Sequence, residues 1–354
     1  MGSKEIGTEN INKDIDLGAE YDTLRIYDGL VTPVSRDTLV LSEKHRLQIE
    51  GYTLRAAQSY GDKSGIAEPT HVHNEHGIPA LVVRVDCTID ERGEIIAYEM
   101  EDSPSGQGIT DALHKNAGSE GVKGRIIGHY ENEAGQVPHV IVSGMRSHGT
   151  DDKLIIGEEN YSFGEIPENL AEDRLVIVKA IPGVAASHQP FTHLQERALA
   201  PLKTEGDKSY TERIGDVKSI AGPDELLLRE DDELCSQVLK ARIGSMANGV
   251  CIYLDPEDRK VFGKKGTITA AKLKHIAGEF GSRNDALVQE FNAPIRVNNP
   301  EDRPNAILRV FVLLSRGENK NTIKAEAIGG CYVARPELIV HGASNSIAGA
   351  VMID

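Results

Sequence analysis

The hydrophobic pattern of this chain alternates between short β-branched runs and segments with helical spacing. The clearest strand pair is ALVVRVDCTI at 80–89 and EIIAYEME at 94–101, because both runs flank the charged turn DERG at 90–93. LVIVKAI at 175–181 predicts a buried strand, and GRIIGHYENEAGQVPHVIVSGM at 124–145 predicts a pair of short strands.

The second half of the chain continues the same interleaving. Helical spacing occurs in HLQERALAPLK at 193–203 and in DELLLREDDELCSQ at 224–237. We therefore expect an α+β or α/β fold with mixed sheets. A second group of predicted strands is QVLKA at 237–241, GVCIYL at 249–254, ALVQEF at 286–291, AILRVFVLL at 306–314 and EAIGGCYVAR at 326–335.

Charge and composition exclude several functional classes. The 354 residues include 39 Lys plus Arg against 55 Asp plus Glu, a formal net charge of −16, which argues against nucleic-acid binding. No apolar run approaches the roughly 20 residues of a membrane-spanning helix, and the polar residues 1–20 predict a flexible lead rather than a signal peptide. Four scattered cysteines favour a reduced, cytoplasmic protein.

Acidic residues concentrate on the predicted hairpin. Residues 84–102 contain seven acids and two arginines. A four-residue loop would pair 84 with 99, 86 with 97 and 82 with 101, so that Arg84, Asp86, Glu99 and Glu101 share one face. A three-residue loop would move Glu99 and Glu101 to the other face. Converging carboxylates suit Mg²⁺ or Mn²⁺, and a solvated acidic hairpin is the alternative.

A lysine precedes a loop of small residues in QVLKARIGSMANGVCIYL. Lys240 ends one predicted strand, and the loop that contains Gly244, Ser245 and Gly249 leads into the next. Such a lysine and loop can cover a triphosphate, although the segment matches no standard phosphate-loop motif and a purely structural hairpin is the alternative.

Two further segments carry candidate ligand contacts. ALVQEF can offer backbone groups of Gln289, Glu290 and Phe291 to an adenine edge. Arg309 interrupts an apolar strand, and Arg335 ends the following one. A charged residue within a buried strand needs a partner, and phosphate is one candidate.

Together these segments resemble the ATP-grasp superfamily, in which two α+β lobes hold ATP between antiparallel sheets. VLKARIGSMANGV resembles its lysine strand and glycine flap, ALVQEF its adenine hinge, and ILRVFVLL the arginine strand after the hinge. YVARP and HGASNSIAG, with Arg335 and Asn345, resemble the later Arg and Asn stretch.

The metal motif of that superfamily normally lies near the C-terminal end, whereas here its counterpart precedes the lysine strand. This permuted order resembles the glutathionylspermidine synthetase group. Arg84-Val-Asp86 is similar to its RxD element, and Glu99-Met-Glu101-Asp102-Ser-Pro104 is similar to its ExNxDxP element. Glu101 replaces the usual Asn of that element, and Ala241 replaces the proline that often follows the lysine.

The resemblance implies five segments. They are a flexible lead at 1–20, an N-terminal part with the metal hairpin at 21–110, a substrate-binding part at 111–190, an ATP-binding lobe with flap and hinge at 191–300, and C-terminal strands at 301–354.

The resemblance also implies an ATP- and Mg²⁺-dependent carboxylate–amine ligase that works through an acyl phosphate, with a small-molecule carboxylate and amine as substrates. Asp86, Glu99 and Glu101 would hold Mg²⁺ (or Mn²⁺), Arg84 and Arg335 would be catalytic, and Lys240 would bind phosphate. An ATP-grasp phosphotransferase and a non-catalytic nucleotide-binding protein are the alternatives. A second nucleotide-binding lysine stays open among Lys179, Lys203, Lys218 and Lys265, as does the oligomeric state.

Two further motifs have competing interpretations. THVHNEHG places His71, His73, Glu75 and His76 close together, but Glu75 comes too early for a cupin metal site, so a polar surface loop is the preferred account. Residues 103–108 predict either a nest of backbone N–H groups for a substrate carboxylate or a simple helix cap.

Overall fold

The computed structural model describes sixteen separate stretches of the chain. In the part that it describes, no helix is both long and apolar enough to cross a membrane. The described residues are 3–5, 15–16, 21–27, 30–35, 37–62, 81–101, 104–143, 151–163, 176–180, 223–241, 250–263, 266–281, 286–298, 305–316, 323–338 and 346–354.

The described elements form a mixed α and β fold. The helices are α1 (Glu43–Asp62), α2 (Gln107–Asn116), α3 (Lys123–Ala134), α4 (Asp152–Ile156), α5 (Pro223–Leu228), α6 (Pro256–Phe262) and α7 (Ala270–Gly281), with 3₁₀ turns at Glu158–Asn160 and Asp231–Glu233. The strands are β1 (Ser3–Glu5), β2 (Ile15–Asp16), β3 (Tyr21–Tyr27), β4 (Leu30–Ser35), β5 (Thr38–Leu41), β6 (Leu81–Ile89), β7 (Ile95–Glu101), β8 (His139–Ser143), β9 (Tyr161–Phe163), β10 (Val176–Ala180), β11 (Gln237–Ala241), β12 (Val250–Tyr253), β13 (Thr267–Ile268), β14 (Ala286–Glu290), β15 (Ile295–Asn298), β16 (Asn305–Arg316), β17 (Ile323–Arg335) and β18 (Ile347–Ile353).

The largest sheet is built around β16 and β17, which pair antiparallel over almost their whole length. On its other side β16 pairs antiparallel with β6, and β6 pairs with β7. β15 pairs with the first residues of β16. Beyond β17 the order continues through β18 to β5 and β1. The hairpin β6–β7 near the start of the chain is thus joined to strands more than 200 residues later.

Both faces of this sheet are covered, which explains its nearly continuous apolar strands. Ile49 and Tyr52 of α1 are fully buried in the cluster that includes Tyr332. On the opposite face, Leu113 of α2 packs with Cys331 and Val333. A charged side chain on either face is therefore removed from water and requires a partner.

A separate four-stranded sheet has the order β13-β12-β11-β14. Leu226 of α5 and Leu273 of α7 pack on one of its faces with Leu239. On the other face, Ile252 packs with Leu338, which follows β17. The C-terminal end of β17 therefore contacts the sheet that carries the lysine strand.

A small parallel sheet completes the described strands, in the order β10-β8-β9. It lies in the central third of the chain, where α3 precedes β8 and α4 lies between β8 and β9. The predicted strand at 175–181 is thereby confirmed as β10.

Most of the predicted strands are confirmed, including both strands of the acidic hairpin and the five strands of the second half. The expected pair of strands at 124–145 is wrong in its first half, because Lys123–Ala134 is helix α3. Val122, Ile126 and Tyr130 recur every four residues and are buried together, which is helical rather than strand spacing. Gly135, at φ 70°, then ends the helix.

One other expectation needs correction. The predicted helix at 224–237 ends at Leu228 and is followed by a 3₁₀ turn, with β11 beginning at Gln237. Within the expected flexible lead at 1–20, Ser3–Glu5 pairs with β5 and Ile15–Asp16 pairs with β15. The predicted helix at 193–203 lies outside the described residues.

Candidate active site

The acidic hairpin has a different register from the expected one. Asp90 N donates to Glu94 O, so the turn is a three-residue loop, which alone would send Glu99 and Glu101 to the other face. A β-bulge at Tyr98 shifts the register by one residue. Asp86 then lies opposite Glu99, and Arg84 lies opposite Glu101. The predicted partners were wrong, but the four positions share a face.

This face continues across the two long strands. Arg309 lies directly opposite Asp86 on one side and Cys331 on the other. Residues directly opposite each other, and residues two apart on one strand, lie on the same face of a sheet. Arg335 lies opposite Asn305. Arg335 is four residues after Cys331 on β17, and Asn305 is four residues before Arg309 on β16, so both lie on the same face as that pair. The pairing therefore brings six candidate positions to one face: Arg84, Asp86, Glu99, Glu101, Arg309 and Arg335.

At the centre of this face is a buried ion pair. Arg84 Nε and Nη2 donate to the two carboxylate oxygens of Asp86 at 2.7 and 3.1 Å. Arg309 Nε lies 3.6 Å from Asp86 Oδ2. Arg84 Nη1 also donates to Ser105 O at 2.9 Å, just before α2. Arg84 is 3% exposed and Asp86 is 4% exposed. Because both charges are buried, each needs the opposite charge of the other as compensation for lost hydration.

The donor chemistry of this face suits a hard cation, since three carboxylate residues lie at adjacent register positions. Asp86 already has both oxygens bonded to Arg84, so a cation would share this carboxylate with the guanidinium. Among the described side chains, no group of three His, Cys, Asp or Glu is arranged to hold a metal ion. The side chains at 99 and 101 lie outside the described set.

Arg335 is on the same face but lies away from the Arg84–Asp86 pair. Four residues of strand separate it from Cys331, which corresponds to about 13 Å. It is 7% exposed, and its Nε lies 3.4 Å from a Glu337 carboxylate oxygen. The expected catalytic arginines 84 and 335 therefore lie at different points of the face.

The lysine strand and the predicted hinge strand are neighbours in the four-stranded sheet. Val238 lies opposite Gln289 in the antiparallel pair β11–β14, so position 240 is on the face of Val238 and Gln289. Val238 packs in the cluster of Leu338 and Ile252. Position 240 is thus on the face that meets the C-terminal end of β17. Gly244, Ser245 and Gly249 lie outside the described residues.

The hinge offers fewer backbone groups than expected. Phe291 N donates to Ser236 O, which makes 236 and 291 a hydrogen-bonded pair of the ladder. Since such pairs alternate, Gln289 is also bonded toward β11, whereas the Glu290 backbone points away from β11, to the edge where no described strand pairs with β14. Asn292 Nδ2 donates to Glu290 O at 3.2 Å. Among the three expected residues, Glu290 is the one whose backbone is suitably directed.

The side chain of Gln289 has a distinct environment. It is 4% exposed, and among the described residues its Nε2 has no hydrogen-bond partner. An unpaired buried amide costs on the order of 1–3 kcal/mol. This donor was not expected from the sequence, because side-chain orientation on β14 depends on pairing with β11.

The acidic hairpin is hydrogen-bonded to the segment that follows the hinge strand. The Tyr98 hydroxyl donates to Asn292 O, and the Thr88 hydroxyl donates to Ala293 O, both at 3.0 Å. Burial raises the pKa of Tyr98, so this hydroxyl stays protonated as a donor. Hairpin and hinge, far apart in sequence, therefore form one connected unit.

The segment 103–108 has an internal partner. Gly108 N and Ile109 N, at the start of α2, donate to Asp151 Oδ2 at 2.9 and 3.4 Å. A buried carboxylate here satisfies the first N–H groups of the helix and complements its dipole. The helix-cap interpretation therefore holds for Gly108, and the cap comes from a distant part of the chain.

Cys331 belongs to the same face and was missed from the sequence. It lies opposite Arg309, and it packs against Leu113 of α2. Burial raises the pKa of this thiol, and the positive charge of Arg309 offsets part of the rise. The thiol is a small packing group beside the ion pair.

Other candidates have little or no structural description. Lys179 is on β10, but its side chain is not described. Lys203, Lys218, Lys265 and Asn345, together with His71, His73, Glu75 and His76, lie outside the described residues. No protein-family model and no curated protein matches this chain.

Proposed function

We propose that this protein is an ATP- and Mg²⁺-dependent carboxylate–amine ligase with a permuted ATP-grasp arrangement. The observation that carries the proposal is the single face shared by Arg84, Asp86, Glu99, Glu101, Arg309 and Arg335. A sheet face with three arginines and three acidic residues can bind a metal and a triphosphate, whereas a face that only packs in a core is normally apolar.

The four-stranded sheet supplies independent support. Its lysine strand and hinge strand are adjacent, and the residues between Lys240 and Val250 connect two antiparallel neighbours. This matches the lysine strand, flap and hinge that the superfamily resemblance implies. The contact of Leu338 with Ile252 brings this sheet next to the end of β17, which carries Arg335.

In the proposed reaction, a substrate carboxylate oxygen attacks the γ-phosphorus and the bond to the β,γ-bridging oxygen breaks, releasing ADP. The amine nitrogen then attacks the acyl carbon, phosphate leaves, and the nitrogen loses a proton to give the amide. Arg84 and Arg309 would neutralise charge on the transferring group, while Arg335 and Lys240 would bind the outer parts of the nucleotide.

Asp86 and the carboxylates at 99 and 101 would hold Mg²⁺. Bound there, the metal would neutralise negative charge on the triphosphate. The Glu290 backbone, which points away from β11, would contact adenine. The Gln289 amide, whose Nε2 has no hydrogen-bond partner among the described residues, would provide a buried donor on the face of position 240.

Phosphate transfer to a hydroxyl is the alternative reaction, since the same residues would also stabilise that transition state. A non-catalytic nucleotide-binding protein is the other alternative. Neither is favoured by a specific contact over the ligase.

The experiment that separates these functions supplies MgATP with a panel of carboxylates and amines and measures ADP, phosphate and amide product. A ligase releases ADP and phosphate only when both substrates are present. A phosphotransferase gives ADP and a phosphorylated alcohol without free phosphate. ATP binding with no turnover on any substrate supports the non-catalytic alternative and would contradict our proposal.

A further inference from the structure

The register of the acidic hairpin depends on a β-bulge at Tyr98. Without the bulge at this residue, the three-residue turn would place position 98 opposite Asp86, and Glu99 would lie on the other face. The extra residue moves Glu99 opposite Asp86. The bulge at Tyr98 thus determines which face positions 99 and 101 occupy.

Tyr98 also contacts the segment that follows the hinge strand. Its hydroxyl donates to Asn292 O, and Thr88, on the adjacent strand, donates to Ala293 O. Asn292 in turn donates its side-chain amide to Glu290 O, a backbone group that points away from β11. A continuous series of contacts therefore joins Glu290 to the residue immediately before Glu99.

We infer that Tyr98 is a positioning residue that couples adenine binding at the hinge to metal binding at the acidic hairpin. This inference rests on the proposed function. A ligand bound at the hinge constrains the Asn292 carbonyl, and through the Tyr98 hydroxyl it constrains the bulge that sets the register position of Glu99. Linkage then requires that Mg²⁺ tighten ATP binding by the same factor as ATP tightens Mg²⁺ binding.

The test measures the ATP dissociation constant with excess Mg²⁺ and with EDTA, in the wild-type protein and in Tyr98→Phe. The ratio of the two constants is the coupling. We expect Tyr98→Phe to reduce this ratio about fivefold, equivalent to the loss of one net hydrogen bond. Thr88→Val, which removes the second bond to the hinge, should reduce the ratio in the same direction.

Tyr332→Phe is the matched control, because Tyr332 also donates its hydroxyl to a backbone carbonyl, that of Asp37, in the same sheet. It should lower thermal stability without changing the coupling ratio. An unchanged ratio in Tyr98→Phe would overturn the inference while leaving the proposed function intact. If Tyr98→Phe does not fold, Thr88→Val replaces it in the test, and an unchanged coupling ratio in Thr88→Val would overturn the inference. Wild-type protein with no Mg²⁺-dependent ATP binding would overturn both proposals.

Discussion

Arg84 donates two hydrogen bonds to Asp86, two residues later on the same buried strand, at 2.7 and 3.1 Å. The two side chains therefore neutralise each other within the sheet face that also carries Arg309. A buried pair of this kind contributes little net stability compared with apolar residues, but it is costly to break, because the remaining charge stays buried. Its retention on this face fits a role in ligand binding.

Asp86→Asn should lower the free energy of unfolding by about 3–5 kcal/mol, because Arg84 would lose its only carboxylate partner on this face among the described side chains. Urea denaturation monitored by circular dichroism measures this loss. Glu257→Gln is the control, since its 2.6 Å pair with Lys260 is exposed and should contribute about 1 kcal/mol or less. Equal losses in the two variants would contradict this account of the buried pair.

Gly330→Ala should destabilise the fold by several kcal/mol, as overpacking against a backbone does. A Cβ at this position would clash with the backbone carbonyl of Arg309 on β16. Gly128→Ala in α3 is the opposite case, because among the described residues nothing beyond its own chain neighbours and helix backbone lies within 4 Å of an added Cβ. Replacing this helical glycine should stabilise the protein by about 0.5–1 kcal/mol. Thermal unfolding of both variants tests the pair, and a stable Gly330→Ala protein would show that the strands can separate there.

Stability should fall as pH decreases below about 6.5. Burial lowers the pKa of His114, whose Nε2 donates to Gly330 O at 2.8 Å in the neutral form. The unfolded chain then binds a proton at a higher pH than the folded one, so its population rises on acidification. His45 has its pKa lowered in the same direction, also mainly by burial.

The measurement is the urea unfolding free energy at pH 7.5, 6.5 and 5.5. His114 alone should contribute up to about 1.4 kcal/mol of loss by pH 5.5. His114→Gln, which keeps a side-chain donor, should be less stable at pH 7.5 but should lose less stability on acidification. An identical pH dependence in this variant would rule out His114 as a source of the effect.

The sequence predicts the strands well because a local run of β-branched and other apolar residues marks each of them, as at 82–85 in β6 and 310–313 in β16. It does not predict helix α3, whose first N–H groups are satisfied by Asp111, eleven residues earlier. The bulge at Tyr98 is also absent from the local pattern, since it depends on pairing with β6 and on contact with the hinge.

The candidate site is likewise predictable from the sequence only in part. Arg309 is recognisable as a charge in an apolar strand, and its proximity to Asp86 follows only from the register of β6 on β16. Asp151, which caps α2, and Cys331, which lies beside Arg309, have no sequence signal of their own. Long-range pairing therefore determines which of the predicted residues lie together.

Glu99→Gln should abolish turnover while leaving the fold intact, because it removes a proposed metal ligand without removing volume. Circular dichroism and the ADP-release assay measure the two properties on the same sample. Persistence of full activity in this variant would show that the metal assignment at the hairpin is wrong.

The most direct test of the central claim is equilibrium binding of ATP, with and without Mg²⁺, to the wild-type protein, Glu99→Gln and Glu94→Gln. Glu94 is the control because it lies in the same hairpin but pairs with Lys44. We predict Mg²⁺-dependent ATP binding by the wild-type protein, unchanged in Glu94→Gln and weakened at least about tenfold in Glu99→Gln. Absence of ATP binding, or equal binding by all three proteins, would contradict the account of this face as a metal–nucleotide site.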